Sequence, residues 1–334
     1  MWAGYSDAAQ TKPWEKDTIV NVYSTTKVMT AICTLMCVDR GLLDLDAPVA
    51  KYWPEFAQGG KEEIPVRYIL SHTSGLSGYG KPITTETLYN WEKVINILAE
   101  QEPWWEPGTK SGYHGITFGH LLGELVRRVT GRTIGTFFKE EVADPFKADF
   151  HIGLDEEHDS RVGELIPPPE MDPSQFGEID PNSIPVKTWM SAAINPADTK
   201  TRAWRGAEIP AINGQGNARS VARITAAVAC GGELDGVRLF SLDTIEKALD
   251  EQSYGTDLVL MVPIRFGLGF GLQTKEAPIG PNPRVLHWGG WGGSVSIMDL
   301  DAKVSIAYVM NKMVSTLTGD PRSTRPIEAL YDAL

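Results

Sequence analysis

Cysteine is scarce in this chain: Cys33, Cys37 and Cys230 are the only three among 334 residues. So sparse and odd a set makes no disulfide framework. Cys33 and Cys37 lie one helical turn apart on an apolar stretch, where thiols behave as small core residues. Basic charge is also short, with 31 Lys and Arg against 43 Asp and Glu and a formal charge of −12. That balance repels phosphate backbones and anionic membrane surfaces, so nucleic acid and membrane are not expected partners. Long apolar runs are missing too. A stretch such as residues 224–230 falls far short of the roughly 20 residues that span a bilayer. Residues 1–20 carry Asp7, Lys12, Glu15 and Lys16 and do not resemble a signal peptide, so a cytoplasmic location is the expectation. His151 and His158, with Asp155, Glu156, Glu157 and Asp159, lack metal-ligand spacing and read as a solvated charge run. Nothing points to a cofactor.

What is present is ordinary core material, 42% hydrophobic, enough for a large domain or two lobes. From Ser24 to Arg40 the apolar residues Val28, Ile32, Leu35 and Met36 recur at helical spacing, and Gly41 follows as a stop signal. The alternating, β-branched run Thr18 to Tyr23 precedes it, so Ser24 falls at a strand-to-helix junction. Two further helical patterns run from Thr87 to Glu100 and from Ile116 to Thr130. Residues 155–215 are rich in Pro and polar residues and read as a long ordered loop over a cleft. After a helix from Ala218 to Cys230, the segments 266–274, 284–300 and 304–310 read as strands, and a short helix from Pro326 closes the chain. The expected fold is of α+β type: an antiparallel β-sheet flanked by helices, with a mostly helical insertion and an active site between them. Residues 1–70 and 219–334 would form the sheet domain and 71–218 the helical one.

Ser24 and Lys27, one helical turn apart, place a hydroxyl and an amine side by side. A lysine desolvated near a helix N-terminus has a lowered pKa and accepts a serine proton near neutrality, while a free N–H at the same terminus can hold an oxyanion. With 18 Ser and 16 Lys in the chain, about one Ser-x-x-Lys arises by chance, so the motif needs support. Two segments supply it. The turn Pro107-Gly108-Thr109-Lys110-Ser111-Gly112 delivers Tyr113 just ahead of a helix, where a phenol can relay protons. The run His287-Trp288-Gly289-Gly290-Trp291-Gly292-Gly293 lies in a strand pattern whose glycines call for an explanation, close approach of a ligand being one. No serine stands in a Gly-x-Ser-x-Gly elbow, which excludes an α/β-hydrolase site.

Ser24-Thr25-Thr26-Lys27, Tyr113 and the His287-Trp288-Gly289 strand resemble the three motifs of the serine β-lactamase and penicillin-binding-protein superfamily. Leu70-Ser71-His72-Thr73-Ser74-Gly75-Leu76 and Tyr308-Val309-Met310-Asn311 are similar to its class C branch, within which the nearest likeness is to the family VIII carboxylesterases. The resemblance implies an acyl-enzyme route: Ser24 as nucleophile, Lys27 as base, Tyr113 as proton relay and activator of the hydrolytic water. It also implies an oxyanion hole from the N–H groups of Ser24 and Gly290. His287, Trp288 and Gly289, with Asn213 and Tyr79, are the expected substrate-binding residues, and the expected partner is a small-molecule ester.

Departures from the superfamily pattern refine the expectation. The Asn usual two places after the tyrosine is Gly115, and the Lys and Thr of the third motif are matched to His287 and Trp288. Losing these polar groups favours esters of short to medium acyl chains over β-lactams, with β-lactamase, D-amino-acid peptidase and acyltransferase chemistry as alternatives. His72 reads as a structural histidine and His114 and His120 as surface or supporting ones. Trp104 and Trp105 are open between core and acyl pocket. The chain also starts short relative to this family, which bears on the location expected above.

Overall fold

The computed structural model describes residues 1–169, 180–315 and 320–334. Its main sheet is an antiparallel meander of six strands, in the order Val304–Tyr308, Val295–Asp299, Val285–Gly289, Gly271–Leu272, Pro263–Phe266 and Ser253–Thr256. Each strand pairs with its sequence neighbour, as short turns dictate. The helix Ala218–Ala229 packs on the strands Val295–Asp299 and Val304–Tyr308, and the C-terminal helix spans Pro321–Asp332, starting earlier than its sequence pattern suggests.

The helix Thr26–Asp39 is buried on all sides: Val28, Met29, Ala31, Ile32, Cys33, Leu35, Met36 and Cys37 are all inaccessible to solvent. A helix apolar all round belongs in the centre of a fold. It lies between the strand Val285–Gly289 and the helices Thr117–Thr130 and Ile134–Phe138. The helix Thr117–Thr130 ends at Gly131, whose φ of 72° makes the left-handed cap expected there. The pattern from Thr87 to Glu100 resolves into two helices, Thr85–Leu88 and Trp91–Glu100, because the Asn90 side chain caps the second through Lys93 N–H.

Two differences bear on the site. The run from Arg284 to Leu300 is a hairpin rather than one strand, turning at Gly292 and Gly293 with φ of 97° and 121°. These two glycines are there because the turn needs left-handed backbone. The segment expected to be a long loop carries the helices Ile184–Met190 and Arg202–Gly206, while its residues 170–179 lie outside the described residues. A small sheet joins Val20–Asn21 to Gln215–Gly216, and that strand to Phe150–His151, fastening the approach to Ser24 onto distant segments. Among the described residues no helix is long and apolar enough to cross a membrane.

Candidate active site

Ser24 stands in the short 3-10 turn Tyr23–Thr25 that feeds the helix Thr26–Asp39. Its neighbour Tyr23 has a φ of 44°, a left-handed conformation costly for an aromatic residue and held here by its surroundings. The Thr26 hydroxyl donates to Tyr23 O at 2.6 Å and accepts Gly214 N–H at 2.9 Å, and Val22 N–H reaches Gly214 O at 3.0 Å. The bend presents Ser24, half-buried, to the cleft while Thr25 and Lys27 point inward. Ser24 N–H is in the first turn of the helical run and belongs to the amides without an intrahelical acceptor.

Lys27 is 1% exposed. Its Nζ lies 3.1 Å from Ser24 Oγ, 2.6 Å from Gly115 O and 3.1 Å from Ala211 O. No carboxylate pairs with it among the described residues, and burial holds its pKa well below the ordinary lysine value. A neutral amine has two N–H donors and one lone pair. Two carbonyls and one hydroxyl match that inventory, the lone pair facing the Ser24 O–H.

The phenol of Tyr113 faces the Ser24 and Trp288 side chains, the Trp288 indole nitrogen at 3.3 Å. Burial raises the phenol's pKa, its contacts with the Ser24 hydroxyl and the Trp288 indole pull it back, and the charge of Asp257 pushes it up again. Lys27 Nζ stands 4.8 Å from the centroid of the tyrosine ring. Every N–H from Gly112 to Gly115 is tied down, to His72 O, Asp257 Oδ1, His72 Nδ1 and Tyr113 O in turn. His72 is buried, with a φ of 61°. His114 is buried rather than superficial: its Nδ1 donates to Gly112 O at 2.6 Å, and its Nε2 accepts from the Ser74 hydroxyl at 2.7 Å. His120 is buried too, against the Tyr79 hydroxyl at 3.2 Å.

The strand Val285–Gly289 requires a shift of one residue in the expected register. Trp288 meets Tyr113, so by strand alternation His287 points to the other face. The His287 ring packs near Gly271, and burial lowers its pKa to about 4. It therefore does not share the face on which Trp288 meets Tyr113. Gly290 N–H is also committed, donating to Ser294 O at 2.8 Å. The next amide, that of Trp291, has no intramolecular acceptor among the described residues and follows directly on Gly290, which lies against the Ser24 turn. Gly290 itself allows that proximity, since a Cβ there would sit 2.1 Å from Val22 O and 3.2 Å from Ser24 N. Ser294 clamps the hairpin onto the nucleophile turn, its hydroxyl donating to Val22 O at 2.8 Å and meeting Thr25 Oγ1 at 2.9 Å. No sequence signal marks it.

Two other expected binding residues are absorbed by the scaffold. Asn213 is buried and spends its side chain on Trp204 O, Ala207 O and Ile209 N–H, bracing the turn that carries Ala211. Tyr79 is 2% exposed and faces His120 rather than Ser24. Trp189, which sequence patterning leaves unnoticed, is 41% exposed and lies over Gly115, its ring atoms 3.0 Å from where a Cβ would be. Gly289 stays half-buried at the strand end.

The chain also resembles known proteins in sequence and in fold. The model of the Beta-lactamase family matches residues 1–330. The chain is 34% identical over 327 residues to the esterase/beta-lactamase LipL of Mycobacterium tuberculosis, covering 95% of this chain and 75% of that protein. Among solved structures, a family VIII carboxylesterase superposes with a TM-score of 0.92 at 40% identity, over 99% of this chain and 88% of its own. A penicillin-binding-protein homologue from Caulobacter crescentus gives a TM-score of 0.92 at 39% identity, again over 99% and 88%.

Proposed function

The chain belongs to the Beta-lactamase family, and from that premise we propose that it is a serine carboxylesterase that cleaves esters of short to medium acyl chains through an acyl-enzyme. One observation carries the reading: Lys27 Nζ is held by two main-chain carbonyls and the Ser24 hydroxyl, with burial as the cause of its low pKa. That is the environment of a neutral base aimed at a nucleophile.

Lys27 takes the Ser24 proton as Oγ bonds to the ester carbonyl carbon. The oxyanion is held by the N–H groups of Ser24 and Trp291, each such donor being worth about 3 kcal/mol in comparable enzymes. Collapse breaks the bond to the alkoxy oxygen, which takes a proton from Tyr113, and Tyr113 is reprotonated by the Lys27 ammonium. After the alcohol leaves, water attacks the acyl-enzyme as Tyr113 takes its proton and passes its own to the neutral Lys27; collapse then breaks the bond to Ser24 Oγ, which is reprotonated by the Lys27 ammonium as the acid is released. Gly115 beneath Trp189, and Trp288 beside the phenol, give the cleft apolar walls where a β-lactam's amide and carboxylate would need polar partners. Esters are therefore favoured over lactams and peptides.

The test has two arms. Intact mass after a fluorophosphonate should show one adduct, absent in Ser24→Ala. Hydrolysis of p-nitrophenyl esters from acetate to octanoate is then compared with nitrocefin and a D-alanyl dipeptide. A higher kcat/KM on the lactam or the peptide than on every ester refutes the proposal. Lys27→Ala and Tyr113→Phe should each lower ester turnover by about 10²- to 10⁴-fold without unfolding the protein.

A further inference from the structure

Asp257 belongs to no motif visible in the sequence. It follows directly on the strand Ser253–Thr256, in the loop leading to Pro263–Phe266, and is inaccessible to solvent. Its Oδ1 accepts Tyr113 N–H at 3.0 Å, Val259 N–H at 2.9 Å and Leu260 N–H at 2.9 Å. Its Oδ2 is buried and has no partner among the described residues. Two of the three N–H groups on Oδ1 belong to its own turn, and the third is that of Tyr113, from a segment 144 residues away in the chain. A second tie joins the same two segments: Leu258 N–H donates to Ser111 O at 2.9 Å.

We infer that Asp257 is the positioning residue for Tyr113, fastening the main chain of the tyrosine to the edge of the sheet and so fixing where the phenol meets Ser24 and the leaving oxygen. The inference rests on the role proposed above for Tyr113. Other groups facing the tyrosine ring are Lys27 at 4.8 Å, His72 at 5.2 Å, Trp288 at 5.3 Å and Trp189 at 6.4 Å between centres. They bound the ring on its sides. Asp257 is the group that holds its main-chain N–H. Without it the Gly112–Gly115 segment keeps its ties to His72, but the Tyr113 main chain loses its own hold on the sheet edge, leaving Leu258 N–H on the neighbouring Ser111 as the remaining main-chain tie.

The experiment separates positioning from general support by leaving-group chemistry. p-Nitrophenolate departs without a proton, whereas ethoxide needs one from Tyr113. Turnover of p-nitrophenyl butyrate and ethyl butyrate is measured in wild type, Tyr113→Phe, Asp257→Ala and the double variant. Because both esters give the same butyryl-enzyme, whose hydrolysis also uses Tyr113, the comparison is made on kcat/KM, which reports acylation: Asp257→Ala should lower it by about 100-fold on ethyl butyrate and by about tenfold or less on the nitrophenyl ester. In the double variant the loss should not exceed that of Tyr113→Phe alone, because the two residues act as one unit. Equal losses on both esters, or additive losses in the double variant, overturn the inference. If Asp257→Ala does not fold, Asp257→Asn, which keeps one acceptor oxygen, enters the same comparison: a smaller but still ester-selective loss supports the inference, and an unselective one overturns it. Wild-type rates in Tyr113→Phe would remove the proposed role of the tyrosine itself, an outcome distinct from an unselective Asp257 variant.

Discussion

Replacing Gly290 by Ala adds one methyl group at the point where the Val285–Gly289 strand meets the nucleophile turn. An ideal Cβ there lies 2.1 Å from Val22 O and 2.4 Å from Ser294 Oγ. The hydroxyl can rotate away, but the carbonyl belongs to the backbone and is already the acceptor for Ser294 and Thr25 N–H. Relief therefore requires the hairpin to retreat from the turn by roughly 1 Å, a displacement that costs about 100-fold in rate when it falls between reacting groups. The retreat separates the two amides proposed to hold the oxyanion. Losing one such donor costs about 10²- to 10³-fold in kcat, so the two estimates converge. The assay is steady-state hydrolysis of p-nitrophenyl butyrate by Gly290→Ala, with thermal unfolding alongside to establish that the variant is folded. A fall in kcat of about 100-fold with a small change in KM is expected. A folded variant whose kcat stays within about threefold of wild type refutes the placement of the oxyanion hole at this junction.

Three further outcomes follow from other contacts. Lys61 is buried on the carbonyls of Gln58, Ala99 and Gln101, and burial lowers its pKa from 10.5 to about 8. Between those values the unfolded chain binds the extra proton, so its contribution to stability rises with pH across that window. Urea midpoints of wild type should gain on those of Lys61→Met from pH 8 to pH 10, and a constant difference would contradict it. Trp288→Phe keeps an aromatic wall but removes the indole N–H at 3.3 Å from the Tyr113 hydroxyl. One neutral hydrogen bond is worth about 1 kcal/mol, so kcat on ethyl butyrate should fall by about fivefold, and an unchanged rate refutes a contribution from that bond. Trp189→Ala uncovers Gly115, so kcat/KM for octanoate relative to acetate esters should rise; an unaltered chain-length profile would show that Trp189 does not bound the acyl site.

Ser24, Lys27 and Tyr113 are legible in the sequence because each sits beside a signal that punctuates the chain: a helix start, a glycine-rich turn, a second helix start. The sheet strands from Val285 to Tyr308 are legible for a similar reason, being β-branched and closely spaced, whereas Ser253–Thr256 and Pro263–Phe266, interrupted by Gly255 and begun by Pro263, carry no such signal. Register at His287 to Gly293 is harder to read. A run of glycines and tryptophans has no apolar alternation to say which residue faces the cleft, so His287 and Gly290 are assigned one place early, where the structure puts Trp288 and Trp291. Asn213 occupies a plausible place at the cleft, but its polar atoms are consumed by its own turn, and that accounting needs coordinates. His114 and His120 look superficial until Ser74 and Tyr79, each about 40 residues away in the chain, fold against them. Asp257 and Ser294 act through main-chain atoms of distant segments, which leave no spacing to recognise.

The acceptors around Lys27 are main-chain oxygens of Gly115 and Ala211. Apart from the Ser24 hydroxyl, an amine held this way has no partner side chain that a point substitution can delete. Position 211 can change residue within its packing limits and still offer the same oxygen, whereas a lysine paired with a carboxylate is stranded by one codon change. For combinatorial libraries, this means that residues lining the cleft can be varied while the proposed proton acceptor keeps its main-chain partners. The changes that disarm it are insertions, deletions or prolines that redirect the two loops. Substrate range and basicity are thus separately heritable in this scaffold, one written in side chains and the other in the path of the backbone.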